Sequence, residues 1–140
     1  MASSFPDLSG LTILVIEDDP DGLEVLRIAL TACGARVATA ADTTVARGHL
    51  DTVKCDLVVT DLGLPGESGA AFLGWLRMQP RDKGGSLAAI AITGYPNEFP
   101  VVKLSGFAAY FQKPLDPYNV CETIRAILRP PRGPSSTAAH

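Results

Sequence analysis

Residues 58–69 read VVTDLGLPGESG: an apolar, β-branched run ends in one aspartate, and a turn rich in Gly and Pro follows. Burying an unpaired carboxylate is costly. Asp61 therefore either caps the turn at the exposed end of a strand or has partners elsewhere that make its charge useful. At this point both readings stand.

The neighbouring segments supply the frame. DLVVT (56–60) and LTILVI (11–16) read as strands buried on both faces. ARVATA (35–40), LAAIAIT (87–93) and FAAYFQ (107–112) are further short strands. Helical spacing separates them. Asp19 is placed to cap a helix with Pro20 at its first position and Asp21 near the positive end of its dipole. Leu23, Leu26 and Leu30 form its apolar stripe, and Gly34 ends it. A second helix is expected over 42–52, with Val45, Leu50 and Val53 turned inward. Phe72, Leu73 and Leu76 mark a third, over 68–78, in which Trp75 is read as packing. A weak helix is expected over 97–105, limited by Pro100 and Gly106, and 95–106 is expected to be the least regular stretch. Val120, Ile124, Ile127 and Leu128 mark a closing helix over 117–129. Strands alternating with helices predict an α/β fold, a parallel sheet of five strands with helices on both faces.

Composition narrows the function classes. The 140 residues suit one domain. With 46% hydrophobic and 19% charged residues the chain is globular rather than disordered. A net charge of −3 with no basic run argues against direct nucleic-acid binding. No apolar run reaches membrane-spanning length, and MASSFPDLSG lacks the features of a signal peptide. A cytoplasmic location is expected. Cys33, Cys55 and Cys121 are widely spaced and read as small buried hydrophobes. His49 and His140 are read as inert. Residues 1–9 are expected to be a loose lead-in, 10–129 the folded domain and 130–140 a disordered tail.

Ligands of open parallel sheets bind outside the carboxyl ends of the strands. Those ends carry Glu17-Asp18-Asp19, Asp61, Thr93-Gly94 and Lys113-Pro114. Clustered carboxylates repel unless a cation joins them. The donors are all oxygen, which suits a hard ion, Mg²⁺ above all. Lys113 adds a fixed positive charge. Such a set is suited to holding a phosphoryl group on Asp61 as nucleophile, with Thr93 donating a hydrogen bond.

Taken in order, ILVIEDD (13–19), VVTDLGLPGESG (58–69), AITG (91–94) and YFQKP (110–114) resemble the receiver domain of bacterial two-component response regulators. The resemblance implies a flavodoxin-like (βα)5 fold with strand order 2-1-3-4-5. It implies a phosphoacceptor switch in which Asp61 takes a phosphoryl group from a histidine of a histidine kinase or histidine phosphotransfer protein. Asp18 would bind Mg²⁺ directly and Glu17 through water, with Asp61 and the Gly63 carbonyl completing the ligands. Thr93 and Lys113 would contact the phosphoryl group, Tyr110 would switch rotamer with Thr93, and Lys113–Pro114 would be cis. The domain would catalyse only its own phosphorylation and dephosphorylation. Glu17 stands where many members have Asp, and the short Thr93–Lys113 segment departs from the usual signalling face.

With no output domain after residue 129, a stand-alone receiver, or one cut from a hybrid kinase, is expected to act through a protein target. Two alternatives remain. One is an interaction module of receiver fold that no longer uses phosphate. The other is a phosphatase of the haloacid dehalogenase type, which would need an acid at position 63, where the chain has Gly.

Overall fold

The structure, a computed structural model, describes residues 5–94 and 106–129. The elements are β1 (Thr12–Ile16), α1 (Pro20–Ala32), β2 (Arg36–Ala40), α2 (Thr43–Thr52), β3 (Leu57–Asp61), α3 (Gly69–Arg77), a short 3₁₀ turn (Arg81–Lys83), β4 (Ala88–Thr93), β5 (Ala109–Gln112) and α4 (Pro117–Leu128). All strand pairs are parallel, and the order across the sheet is β2-β1-β3-β4-β5. This is the order the resemblance implies. Residues 1–4, the helix expected over 97–105, all of the stretch 95–106 expected to be least regular except Gly106, and the whole tail expected over 130–140 with His140 lie outside the described residues.

Alternation along the strands divides the core. Ile13, Val15, Leu57, Val59, Ile90 and Ile92 face α1 and α4, where they meet Leu26, Leu30, Val120 and Ile124. Leu14, Ile16, Val58 and Ala89 face α2 and α3, where they meet Ala46, Phe72, Leu73 and Leu76. Burial on both faces explains why β1 and β3 are apolar without alternation. Each helix begins on a side-chain cap. Asp19 accepts from Gly22 N at 3.3 Å, Asp42 from Val45 N at 2.9 Å, Ser68 from Ala71 N at 3.0 Å and Asp116 from Tyr118 N at 3.0 Å.

Two expectations need correction. Val45 is exposed. With Asp42 as the cap, the inward stripe of α2 runs through Thr43 and Ala46 to Leu50, and Val45 falls outside it. The lead-in is also not loose throughout. Leu8 is fully buried, its N–H donates to Cys33 O at 2.8 Å, and Arg129 Nη1 donates to Asp7 O at 3.1 Å. One leucine in a polar segment carries no periodic signal, so its place in the core is set by tertiary packing alone.

Candidate functional site

β3 is buried at all five positions, and Asp61 is its last residue, 5% exposed. The sheet continues one step further, because Leu62 N donates to Ile92 O at 2.9 Å. Asp61 is therefore held at the rim of the sheet and is not free to turn into solvent. Gly63 N donates to Asp61 Oδ1 at 2.8 Å, and Lys113 Nζ donates to Asp61 Oδ2 at 2.6 Å. Each oxygen of the carboxylate is engaged, one by the following turn and one by a lysine 52 residues away.

Glu17 follows the last residue of β1 and is 1% exposed. Its Oε1 accepts from Asp19 N at 3.1 Å. Its Oε2 lies 2.6 Å from Lys113 Nζ but makes no hydrogen bond of acceptable angle. The close approach is thus an ion contact that leaves a buried oxygen short of a partner. Lys113 bridges the two acids. Burial pushes the Glu17 carboxyl up to about 7, with the nearby Asp61 adding to the rise and Lys113 opposing it. Burial works against the Lys113 ammonium, but Asp61 and Glu17 outweigh it and raise its pKa.

Asp18, exposed, completes an acidic group. One oxygen each from Glu17, Asp18 and Asp61 lie within 4.8 Å of one another. A cleft of about 650 Å³ opens there, lined by Asp18, Asp19, Asp61, Gly63, Gly94, Lys113 and Pro114. The all-oxygen donor set and the under-partnered Glu17 oxygen fit a hard divalent cation.

The other expected residues are placed as follows. Thr93 is fully buried at the end of β4, and its carbonyl accepts from Lys113 N at 2.8 Å. Its neighbour Gly94 lines the cleft. Ala91 pairs with Tyr110 and Thr93 with Gln112, so Thr93 and Tyr110 share one face of the sheet. Tyr110 is partly exposed. The Lys113–Pro114 peptide is cis. His49 Nε2 lies 2.8 Å from Thr39 O, and Trp75 packs on Phe72.

Some contributors escaped the sequence reading. A Cβ on Gly69 would lie 2.3 Å from Asp61 O and 2.9 Å from Thr60 Oγ1, so only glycine lets α3 start against the end of β3. A Cβ on Gly22 would lie 3.3 Å from Glu17 Oε2. Both constraints come from distant segments meeting, which no local pattern reports.

Residues 13–125 match the family described as the response regulator receiver domain. The chain belongs to that family. This receiver domain is 35% identical over 120 residues to an uncharacterized 14.6 kDa protein of Leptolyngbya boryana, covering 84% of this chain and 90% of that one. It is 34% identical to the C4-dicarboxylate transport transcriptional regulatory protein DctD of Pseudomonas aeruginosa, covering 83% of this chain but 25% of that protein. It therefore spans only a quarter of that regulator. Among solved structures, the response regulator TrrA of Thermotoga maritima, in complex with Mg²⁺-BeF, superposes with a TM-score of 0.73 at 25% identity, covering 84% of this chain and 99% of that one. The fold and the family place the domain in two-component signalling. No helix among the described residues is long and apolar enough to cross a membrane.

Proposed function

We propose that Asp61 is the phosphoacceptor of this receiver domain. The observation that carries the reading is the bridge from Lys113 to Asp61 and Glu17, at 2.6 Å to each, at the carboxyl edge of the sheet. One cation between two buried acids is charge-deficient, and that edge is the place for a metal and a phosphoryl group.

Glu17, Asp18, Asp61 and the carbonyl of Gly63 would hold Mg²⁺, which when bound supplies positive charge to the phosphoryl oxygens. An oxygen of Asp61 attacks the phosphorus of a partner's phosphohistidine. The O–P bond forms, the P–N bond breaks, and its electron pair returns to the ring nitrogen; the other ring nitrogen of the phosphohistidine carries a proton, so the imidazole leaves neutral. Lys113 exchanges its contact with Asp61 for one with the incoming phosphoryl oxygens and keeps its proton throughout. The Gly63 N–H fixes the carboxylate plane during the attack. Thr93 donates its hydroxyl to a phosphoryl oxygen, and Tyr110, on the same face, follows that movement. Water later attacks the phosphorus and releases phosphate and the Asp61 carboxylate. The domain would thus catalyse its own phosphorylation and dephosphorylation and no other reaction.

The donor would be a histidine kinase or a histidine phosphotransfer protein in the cytoplasm. Output would pass through a protein target and not through direct contact with nucleic acid. The domain would end near residue 129. Incubation with phosphoramidate and Mg²⁺, followed by intact mass, tests the reading. One added phosphoryl group in the wild type and none in Asp61→Asn supports it. Equal labelling of the two sinks it.

A further inference from the structure

We infer that Arg47, on α2, is a positioning residue for the phosphoacceptor loop, acting through Glu67. The inference rests on the assignment of Asp61 above. Residues 62–69 form a closed loop: Gly69 N donates to Leu62 O at 3.1 Å, and Glu67 N to Pro65 O at 3.0 Å. One end of that loop holds Asp61 Oδ1 through Gly63 N. The other end carries Glu67. Arg47 Nη2 donates to both Glu67 oxygens, at 2.6 and 2.8 Å. The arginine is itself braced, because its guanidinium lies 4.7 Å from the centroid of the Trp75 ring on α3.

The chain thus links two helices to the far side of the loop whose near side orients the nucleophile. It crosses 20 residues of sequence between Arg47 and Glu67. The ion pair is only partly exposed, with side-chain exposures of 35% and 29%, so water screens it less than a surface pair. Among the described residues Arg47 Nε is buried with no hydrogen-bond partner. An unpaired buried donor costs stability. One nitrogen, Nη2, reaches both Glu67 oxygens, while the guanidinium plane rests over the Trp75 ring, a stacking that a lysine ammonium reproduces less well. Groups that orient the primary ligands commonly change metal affinity by a factor of ten or more when removed. Arg47 stands one step further out, so a smaller factor is expected.

The test uses the full chain and two readouts, Mg²⁺ affinity by calorimetry and the initial rate of phosphoramidate labelling by intact mass. Arg47→Ala and Glu67→Ala are each expected to weaken Mg²⁺ binding and slow labelling by about three- to tenfold. The double variant is expected to be no worse than either single one, because both remove the same link. Arg47→Lys should recover part of the loss. Arg27→Ala, on a separate surface ion pair with Glu24, should behave as wild type. Wild-type behaviour of Arg47→Ala in both readouts would overturn the inference. So would a double variant whose loss is the product of the single losses. If Arg47→Ala fails to fold, Arg47→Gln with Glu67→Gln gives the same cycle. A wild type that binds Mg²⁺ but takes no phosphoryl group would refute the assignment of Asp61, while the Mg²⁺ cycle would still decide on Arg47.

Discussion

Two aspartates bracket β3, and they do opposite work. Asp56 precedes the strand. Its Oδ2 accepts from Thr12 N at 2.8 Å, and its own N–H donates to Thr12 O at 2.7 Å. It is a structural acid that ties the amino-terminal edges of β1 and β3 together. Asp61 closes the strand at the other edge, against a second buried acid and one shared lysine. The residue type is the same and the strand is the same. What differs is the partner. Asp56 is paired with the main chain of β1. One lysine between two buried carboxylates leaves negative charge over.

The sharpest way to break this comparison is to neutralise each acid in turn. Asp61→Asn should reduce labelling by phosphoramidate below detection. Asp56→Asn should leave labelling near wild type, and Asp56→Ala, which removes the acceptor of Thr12 N, should lower stability by about 1 kcal/mol, the usual worth of one hydrogen bond, measured by urea unfolding. If Asp56→Asn also abolished labelling, the two ends of the strand would not be separable.

Metal binding sharpens the same contrast. Asp18→Ala should weaken Mg²⁺ at least tenfold in a calorimetric titration, because few charged ligands are available there. Mg²⁺ should raise the midpoint of thermal unfolding in the wild type, since the ion binds only the folded state. Unchanged affinity in Asp18→Ala would put the ion elsewhere.

Packing at the site edge gives a smaller effect. Gly69→Ala should destabilise the fold by about 2 kcal/mol, a typical cost of overpacking, because its Cβ meets the Asp61 carbonyl at 2.3 Å. It should also slow labelling, by shifting the backbone of the nucleophile. A neutral result in both measurements would mean that α3 can retreat without moving Asp61.

A further contrast is the pH dependence of the metal-free protein. Glu17 has an ordinary value of 4.5 and is raised to about 7 by burial. Between those values the folded chain keeps a proton that the unfolded chain has lost. The stabilising contribution is therefore complete below about 4.5 and lost as pH rises through about 7. Glu17→Gln should flatten this part of the stability profile, and so should Mg²⁺. A wild-type profile that rises over the same interval and does not change in Glu17→Gln would contradict the assignment.

Much of this was legible in the sequence. The doubly buried strands β1 and β3 show as unbroken apolar runs, and acids at the ends of such runs stand out because burial makes them costly. Glu17, Asp18 and Asp61 are brought together as the topology requires, with Lys113 among them. What was not legible depends on pairs of segments that meet only in three dimensions. Leu8 gives no sign of its core position, and Val45 looks inward until the Asp42 cap sets the phase of α2. Nothing around Asp56 distinguishes it from a loop acid. Arg47 and Glu67 are ordinary helix and turn residues until the fold pairs them beside the Trp75 ring.

The most direct test of the central claim locates the phosphoryl group itself. Labelling with phosphoramidate and Mg²⁺, followed by borohydride reduction, converts a phosphorylated aspartate to homoserine, which peptide mass mapping then places in the chain. The account predicts homoserine at position 61 and unmodified aspartate at positions 18 and 56. Homoserine at 18 or 56, or a phosphoryl group that resists borohydride, would contradict it.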